Sequence, residues 1–238
     1  MSRPGLNETV LQILKPLPRG KILDCPAGEG ALAKDLLAEG FVVRCCDLYP
    51  QLFRLKGVEI KSGDLAGTLP YSSGSFDYIT SLEGLEHIDS PPRAIREYKR
   101  LLKAGGHLII SVPNIMNVEE RLKWLLFGYT SHFKPLSPQS KAKIHNDSAG
   151  LDEIEVHANP IGYSELRYYL EKNGFAIQGV YRDRKKANQW LYWPLVALIK
   201  LLAKLTSEPR RKDRWAEDLA SDPVLLGGNT LIIHSIRQ

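Results

Sequence analysis

Cysteine is scarce in this 238-residue chain: Cys25, Cys45 and Cys46 are all there are, at spacings that suit neither a zinc site nor a disulfide framework. All three fall in or beside apolar runs that read as buried strands, so a reducing cytoplasm is the expected setting. The opening residues, MSRPGLNETV, lack the apolar core of a signal peptide, and export by that route is not expected. There is no low-complexity tract or internal repeat, and the longest apolar segment is too short and too charged to span a bilayer. What remains is an ordinary soluble composition, 43% hydrophobic and 25% charged, long enough for one large α/β domain with inserted elements. Charge is less even: a net charge of +5 and a sequence pI near 9.0 point to nucleic acid or anionic lipid as a partner. Position separates the two. The basic residues gather around one apolar segment instead of interleaving with aromatics along a groove, so nucleic acid is not expected.

The richest stretch runs from Lys21 to Leu48, KILDCPAGEGALAKDLLAEGFVVRCCDL, and reads as strand, glycine turn, helix and second strand ending in an acid. Gly28 and Gly30 let the backbone pass close to a ligand, Ala31 to Ala38 has helical composition, and Asp47 stands where an acid meets ribose hydroxyls in doubly wound folds. Gly28-Glu29-Gly30-Ala31-Leu32-Ala33 matches a dinucleotide fingerprint with alanine in its last place, which makes an NAD(P)-dependent oxidoreductase one reading. The flanking acids disfavour it. Pyrophosphate needs bare amide donors, yet Asp24 ends the strand and Glu29 lies in the turn. At about 5 Å and an effective dielectric of about 20, each acid would repel the anion by roughly 3 kcal/mol before screening. A ligand carrying an ammonium and a sulfonium avoids that repulsion.

The alternation of predicted elements favours a parallel sheet with helices on both faces. Helices are expected at Asn7 to Lys15, Ala31 to Ala38, Arg93 to Leu102 and Ser164 to Lys172. Strands are expected at Lys21 to Cys25, Val42 to Cys46, Val58 to Lys61, Phe76 to Ser81, His107 to Val112, Phe175 to Tyr181 and Thr230 to Ser235.

With its glycine motif opened by an acid and followed by an acid after the second strand, the chain resembles the class I S-adenosylmethionine-dependent methyltransferases. Ser62-Gly63-Asp64-Leu65 looks like the family's adenine-binding turn, Ser75 to Ile88 like its fourth strand and the loop facing the methyl donor, and Leu101 to Asn114 like its next turn and fifth strand. The resemblance implies S-adenosylmethionine as cofactor, a doubly wound, mostly parallel seven-stranded sheet with an antiparallel last strand, and a single domain over residues 1–238. It implies that Asp24, Ala27, Gly28 and Gly30 serve the methionine end, Asp47 and Leu48 the ribose, Asp64 and Leu65 the adenine, with Ser81 also lining the site. Pro26 departs from the family, which usually has glycine there; proline fixes φ near −65° and removes an amide donor.

Methyl transfer to a hydroxyl needs alignment, exclusion of water and a base. His87 is the candidate base, since it follows the fourth strand closely and an imidazole titrates near neutral pH. Glu83, Glu86 and His87 form E-x-x-E-H, which on a helical turn would point two carboxylates and an imidazole the same way. The pattern resembles ubiquinone-biosynthesis O-methyltransferases, some of which are reported to use magnesium there. Many relatives with similar letters use none, and His132, His145 and His157 are the candidates for a further ligand, so no metal site is assigned. Val112-Pro113-Asn114 and Asn159 to Leu166 resemble methyltransferases associated with surface-glycan and lipid-quinone pathways, and the acceptor is expected to be a small-molecule, sugar or lipid-linked hydroxyl. A non-catalytic, methyltransferase-like binding module is the alternative from another class.

Two segments lie outside the minimal fold. Residues 117–162 carry Trp124, Phe127, Tyr129 and Phe133, read either as walls of an acceptor pocket or as packing of a helical lid. Residues 187–215 contain Trp190 to Leu205, WLYWPLVALIKLLAKL, between basic flanks. Lys200 and Lys204 would share one face, leaving Leu195, Leu198, Ile199, Leu202 and Leu205 for an apolar side. That pattern suits an interfacial helix at the inner membrane surface or a helix packed on its own domain or a second copy.

Overall fold

The computed structural model describes residues 5–134, 157, 159–186 and 189–238. A seven-stranded sheet runs through it in the order β3-β2-β1-β4-β5-β7-β6. The strands are β1 (Lys21–Asp24), β2 (Val42–Asp47), β3 (Ile60–Ser62), β4 (Phe76–Leu82), β5 (Leu102–Pro113), β6 (Phe175–Arg182) and β7 (Thr230–Arg237). The first five pair in parallel, while β7 lies antiparallel between β5 and β6. This is the expected doubly wound, mostly parallel arrangement with an antiparallel last strand.

Helices cover both faces because the strands are apolar on both. On one face, α1 (Leu6–Leu14) and α2 (Ala31–Ala38) bring Val10, Leu14, Leu32 and Leu36 onto Ile22, Val43 and Ile109. On the other, α3 (Pro91–Leu101) and α5 (Tyr163–Lys172) bring Ile95, Tyr98, Tyr163 and Leu166 onto Leu23, Ile79 and Ile110. Each such buried aliphatic side chain contributes about 1.5–3 kcal/mol relative to exposure. Between α3 and α5 lies α4 (Val118–Phe127), whose Asn117 side chain accepts the Glu120 N–H at 3.0 Å and caps its start.

Most boundaries shift by one or two residues from the sequence reading, and two strand starts have a clear pairing reason. β5 begins at Leu102 instead of His107, because Leu102 pairs with Phe76 ahead of a register shift. β3 begins at Ile60, since its ladder is formed by Ile60, Lys61 and Ser62 opposite Cys45 to Asp47.

After β6, α6 (Trp193–Leu205) is followed by α7 (Glu208–Asp213), α8 (Ala216–Leu219) and α9 (Asp222–Leu225). The faces of α6 are not those expected. Val196 is buried in a small core with Val118, Ala220 and Leu225, and Leu195, Ile199 and Ala203 pack against it. Leu198, Leu201, Leu202 and Leu205 are exposed instead, and Lys200 turns to Asp222 at 2.5 Å. Apolar residues stand all round this helix, so its periodicity could not choose the inward side.

Candidate functional site

The parallel strands β1, β2 and β4 end together, and their following loops are stitched to one another. Cys25 N–H donates to the Thr80 carbonyl at 2.9 Å and Ala27 N–H to the Cys46 carbonyl at 3.1 Å. Gly28 N–H donates to Asp47 Oδ2 at 2.8 Å, and Tyr49 N–H to Asp47 Oδ1 at 2.9 Å. The sequence-predicted cluster of Asp24, Ala27, Gly28, Gly30 and Asp47 is thus assembled. The Cys25-Pro26 peptide is cis, and Gly84 lies so close to the Pro26 ring that a Cβ there would stand 2.7 Å from Pro26 Cδ. Two glycines are required for different reasons. Gly30, at φ 90°, precedes α2 with Phe53 packed where a Cβ would go, whereas Gly28, at φ 52°, has open space above it.

Asp24 is the unusual member. It is buried, its Oδ1 accepts the Thr80 hydroxyl at 2.9 Å, and its Oδ2 has no protein donor among the described residues. Burial pushes its pKa up to about 7, the Thr80 hydrogen bond opposes this, and the Asp47 charge adds to it. An orphaned buried carboxylate oxygen beside a bare glycine turn fits a cationic ligand group. Asp47 keeps lone pairs beyond the two amide contacts for hydroxyl donors.

The remaining cofactor candidates are less uniform. Asp64 is exposed and accepts Ala66 N–H at 2.8 Å, closing its own turn, while Leu65 is buried in the core cluster. Leu48 is about half exposed. The Ser81 hydroxyl is buried against Tyr98 Oη at 2.7 Å, directed into the core.

Beyond β4 the chain does not make the helical turn on which Glu83, Glu86 and His87 were expected to align. Glu83 has φ 53°, a region L side chains seldom adopt, and only Leu85–His87 form a short 3-10 turn. Ser111 holds Glu83 in place, accepting its N–H through Oγ at 3.0 Å. Glu86 is fully buried, and its carbonyl accepts Asn159 N–H at 3.0 Å, which brings the end of the inserted segment onto this loop. Ligand atoms of Glu86, His87 and His157 lie within 4.8 Å of one another. The His87 and His157 rings meet edge to face at 4.8 Å, with His132 stacked on His157 at 6.0 Å and Phe133 beside it at 5.5 Å. Two imidazoles and a carboxylate suit a divalent transition ion better than magnesium, which prefers oxygen ligands.

The inserted segment divides. Phe133 meets the histidine cluster, but Trp124 and Phe127 are 59% and 63% exposed and wall off no pocket among the described residues. His145 and the stretch 135–156 lie outside the described residues. Sequence reasoning missed Thr80 and Ser111, whose only signal was a hydroxyl on a strand of the sheet that carries the site. It also could not show that His157 reaches His87 across some seventy residues of chain.

A methyltransferase-domain family model matches residues 3–197. The ubiquinone biosynthesis O-methyltransferase of Vibrio parahaemolyticus is 30% identical over 174 residues, spanning 64% of this chain and 72% of that protein. Its counterpart from Psychrobacter cryohalolentis is 27% identical over 175 residues, covering 64% and 67%. Among solved structures, an S-adenosylmethionine-dependent methyltransferase from Thermotoga maritima superposes with a TM-score of 0.59 at 18% identity, covering 98% of this chain and 89% of that one. Another from Mesorhizobium loti gives 0.56 at 19% identity, covering 98% and 99%. The fold and the strand-end site define a nucleotide-type cofactor enzyme, and the chain belongs to the class I S-adenosylmethionine-dependent methyltransferases. The oxidoreductase and non-catalytic readings fall with that assignment.

Proposed function

We propose that the chain methylates a hydroxyl oxygen of a small-molecule, sugar or lipid-linked acceptor, with His87 as the general base. The observation that supports this reading most directly is the position of His87. It stands on the turn after β4, with Glu86 and His157 around it. S-adenosylmethionine, when bound, supplies a methyl group on a sulfonium. Asp24 and the open turn at Gly28 would hold its methionine end, Asp47 its ribose, and Asp64 with Leu65 its adenine. His87 takes the proton as the acceptor oxygen attacks. Phe133 packs beside His157, its ring tilted at 5.5 Å, at the edge of the cluster.

The similarity to ubiquinone-biosynthesis O-methyltransferases supports oxygen as the accepting atom. The test is His87→Ala and His87→Gln assayed for transfer to a panel of phenols and sugar alcohols, with cofactor affinity measured in parallel. Loss of about 10²–10⁴ in turnover with affinity retained is expected for a base. Unchanged turnover would remove His87 from the reaction.

A further inference from the structure

The positive charge and the surplus apolar surface of this protein coincide. Residues 182–217 hold ten basic and four acidic side chains, a surplus of six. Since the whole chain is +5, everything else carries a net charge of −1. Within that basic segment, α6 shows an outward stripe of Trp193, Leu198, Leu201, Leu202 and Leu205, each at least half exposed, and Trp190 and Leu191 extend it. A helix that merely packs on its own domain turns polar residues outward; α6 is apolar on both sides. Exposed Arg184 and Lys185 precede the stripe, exposed Lys204 lies at its end, and exposed Arg210, Lys212 and Arg214 follow it.

The last turn of α4 is a second exposed apolar patch. Trp124, Leu125, Leu126 and Phe127 are 59 to 78% exposed, and α4 is tied to α6 through Val118 and Val196 in one small core. From Phe127 the chain runs directly to His132 and Phe133, which stand against His157. Beneath the far half of α6, Lys200, Lys204 and Arg211 line a recess with Glu217 as its acid.

We propose that α6 and the tip of α4 form a docking surface for an anionic phospholipid bilayer, with the apolar stripe entering the acyl boundary and the flanking basic residues meeting the headgroups. Charge complementarity selects this occupant. Two copies meeting through the same face would bring two surpluses of six positive charges together, which disfavours a dimer, whereas an anionic surface attracts both flanks. No helix among the described residues is long and apolar enough to cross a membrane, so the contact is peripheral. The inference does not depend on which hydroxyl is methylated.

The test uses the full chain and vesicles of phosphatidylcholine alone or with about 30% phosphatidylglycerol. Co-sedimentation with the anionic vesicles alone, weakened at about 0.5 M NaCl and reduced at least roughly tenfold by Leu198→Glu with Leu202→Glu, is expected. Both leucines face solvent, and retained stabilisation by S-adenosylmethionine reports that the variant is folded. Tryptophan quenching by brominated lipid in the unaltered protein supplies a readout that needs no variant. Absence of binding and quenching with anionic vesicles would overturn the proposal, as would a double variant that binds like the parent. So would a dimer that the double variant splits in the absence of any lipid binding, which would assign the face to a second copy.

Discussion

Asp24 and His234 occupy the same level of the sheet, since Asp24 pairs with Thr80, Thr80 with Ile109 and Ile109 with His234. Both are buried ionisable groups, and both are held neutral by that burial at some part of the ordinary pH range. Their surroundings differ. His234 Nε2 shares a hydrogen bond with His107 Nδ1 at 2.9 Å, the two rings stack at 5.1 Å, and Tyr78 stacks on His107 in turn at 5.2 Å. Burial first, and the nearby His107 charge second, push His234 down to about 4. Asp24 instead has one oxygen bonded to Thr80 and the other without a protein partner. In the interior of the sheet a polar group is completed by the protein; at the strand ends it is left to be completed by a ligand. That separates a structural buried charge from a functional one, although burial alone ranks them alike.

Asp24→Asn should break the contrast most sharply. The loss of a buried negative charge facing a cation is expected to lower S-adenosylmethionine affinity by roughly one to two orders of magnitude, or about 1.5–3 kcal/mol. The same change should stabilise the ligand-free protein at pH 8 by about 1–3 kcal/mol, below the ceiling of about 4 kcal/mol set by its shift. Calorimetric titration and thermal melts check both arms. A variant weaker in both would make Asp24 an ordinary structural acid.

His234→Ala should do the reverse, destabilising the fold by about 1–3 kcal/mol through the cavity and the stranded His107, with cofactor affinity unchanged. Chemical denaturation and the same titration decide it. A large loss of affinity would show that the histidine stack supports the site.

The pH dependence offers a finer test, because the two groups pull in opposite directions. Asp24 has its pKa raised from 3.8 to about 7 by folding, so the ligand-free fold binds the extra proton and loses stability as pH rises from about 4 to 7. His234 has its pKa lowered from 6.5 to about 4, so the fold gains stability as pH rises from about 4 to 6.5. The parent should therefore show a shallow profile over this range. Asp24→Asn should slope upward with pH, and His234→Ala downward. Denaturation midpoints at a series of pH values measure this, and parallel profiles in all three proteins would refute the assignment.

Thr80→Val carries the smallest expected effect. Without the hydroxyl that holds Asp24 Oδ1, the acid should ionise less readily still, and affinity near neutral pH should fall several-fold. No change would mean that Thr80 only packs.

The succession of strands and helices along the chain, the glycine turn and the acids at Asp24 and Asp47 were legible because each rests on local pattern: apolar runs of strand length, glycines in a tight turn, an acid closing a strand. What escaped depends on distant partners. Ser81 looked like a site residue by position, yet Tyr98 on α3 takes its hydroxyl. Glu83, Glu86 and His87 looked like one helical face, but Glu83 sits at positive φ with its N–H on Ser111 of β5, and the helical turn starts only at Leu85. The outward side of α6 was fixed by Val118 and Leu225, far away in the chain, and no local pattern marks that choice.

The placement of β7 has a consequence for how the chain comes off the ribosome. Among the described residues, strand β6 has β7 as its sole neighbour in the sheet, and β5 has β7 on the side away from β4. Until Thr230 to Arg237 emerges, β5 and β6 both present open edges. Nascent chains stalled just before β7 should therefore be the most aggregation-prone and the most dependent on chaperones, and addition of β7 closes both edges at once.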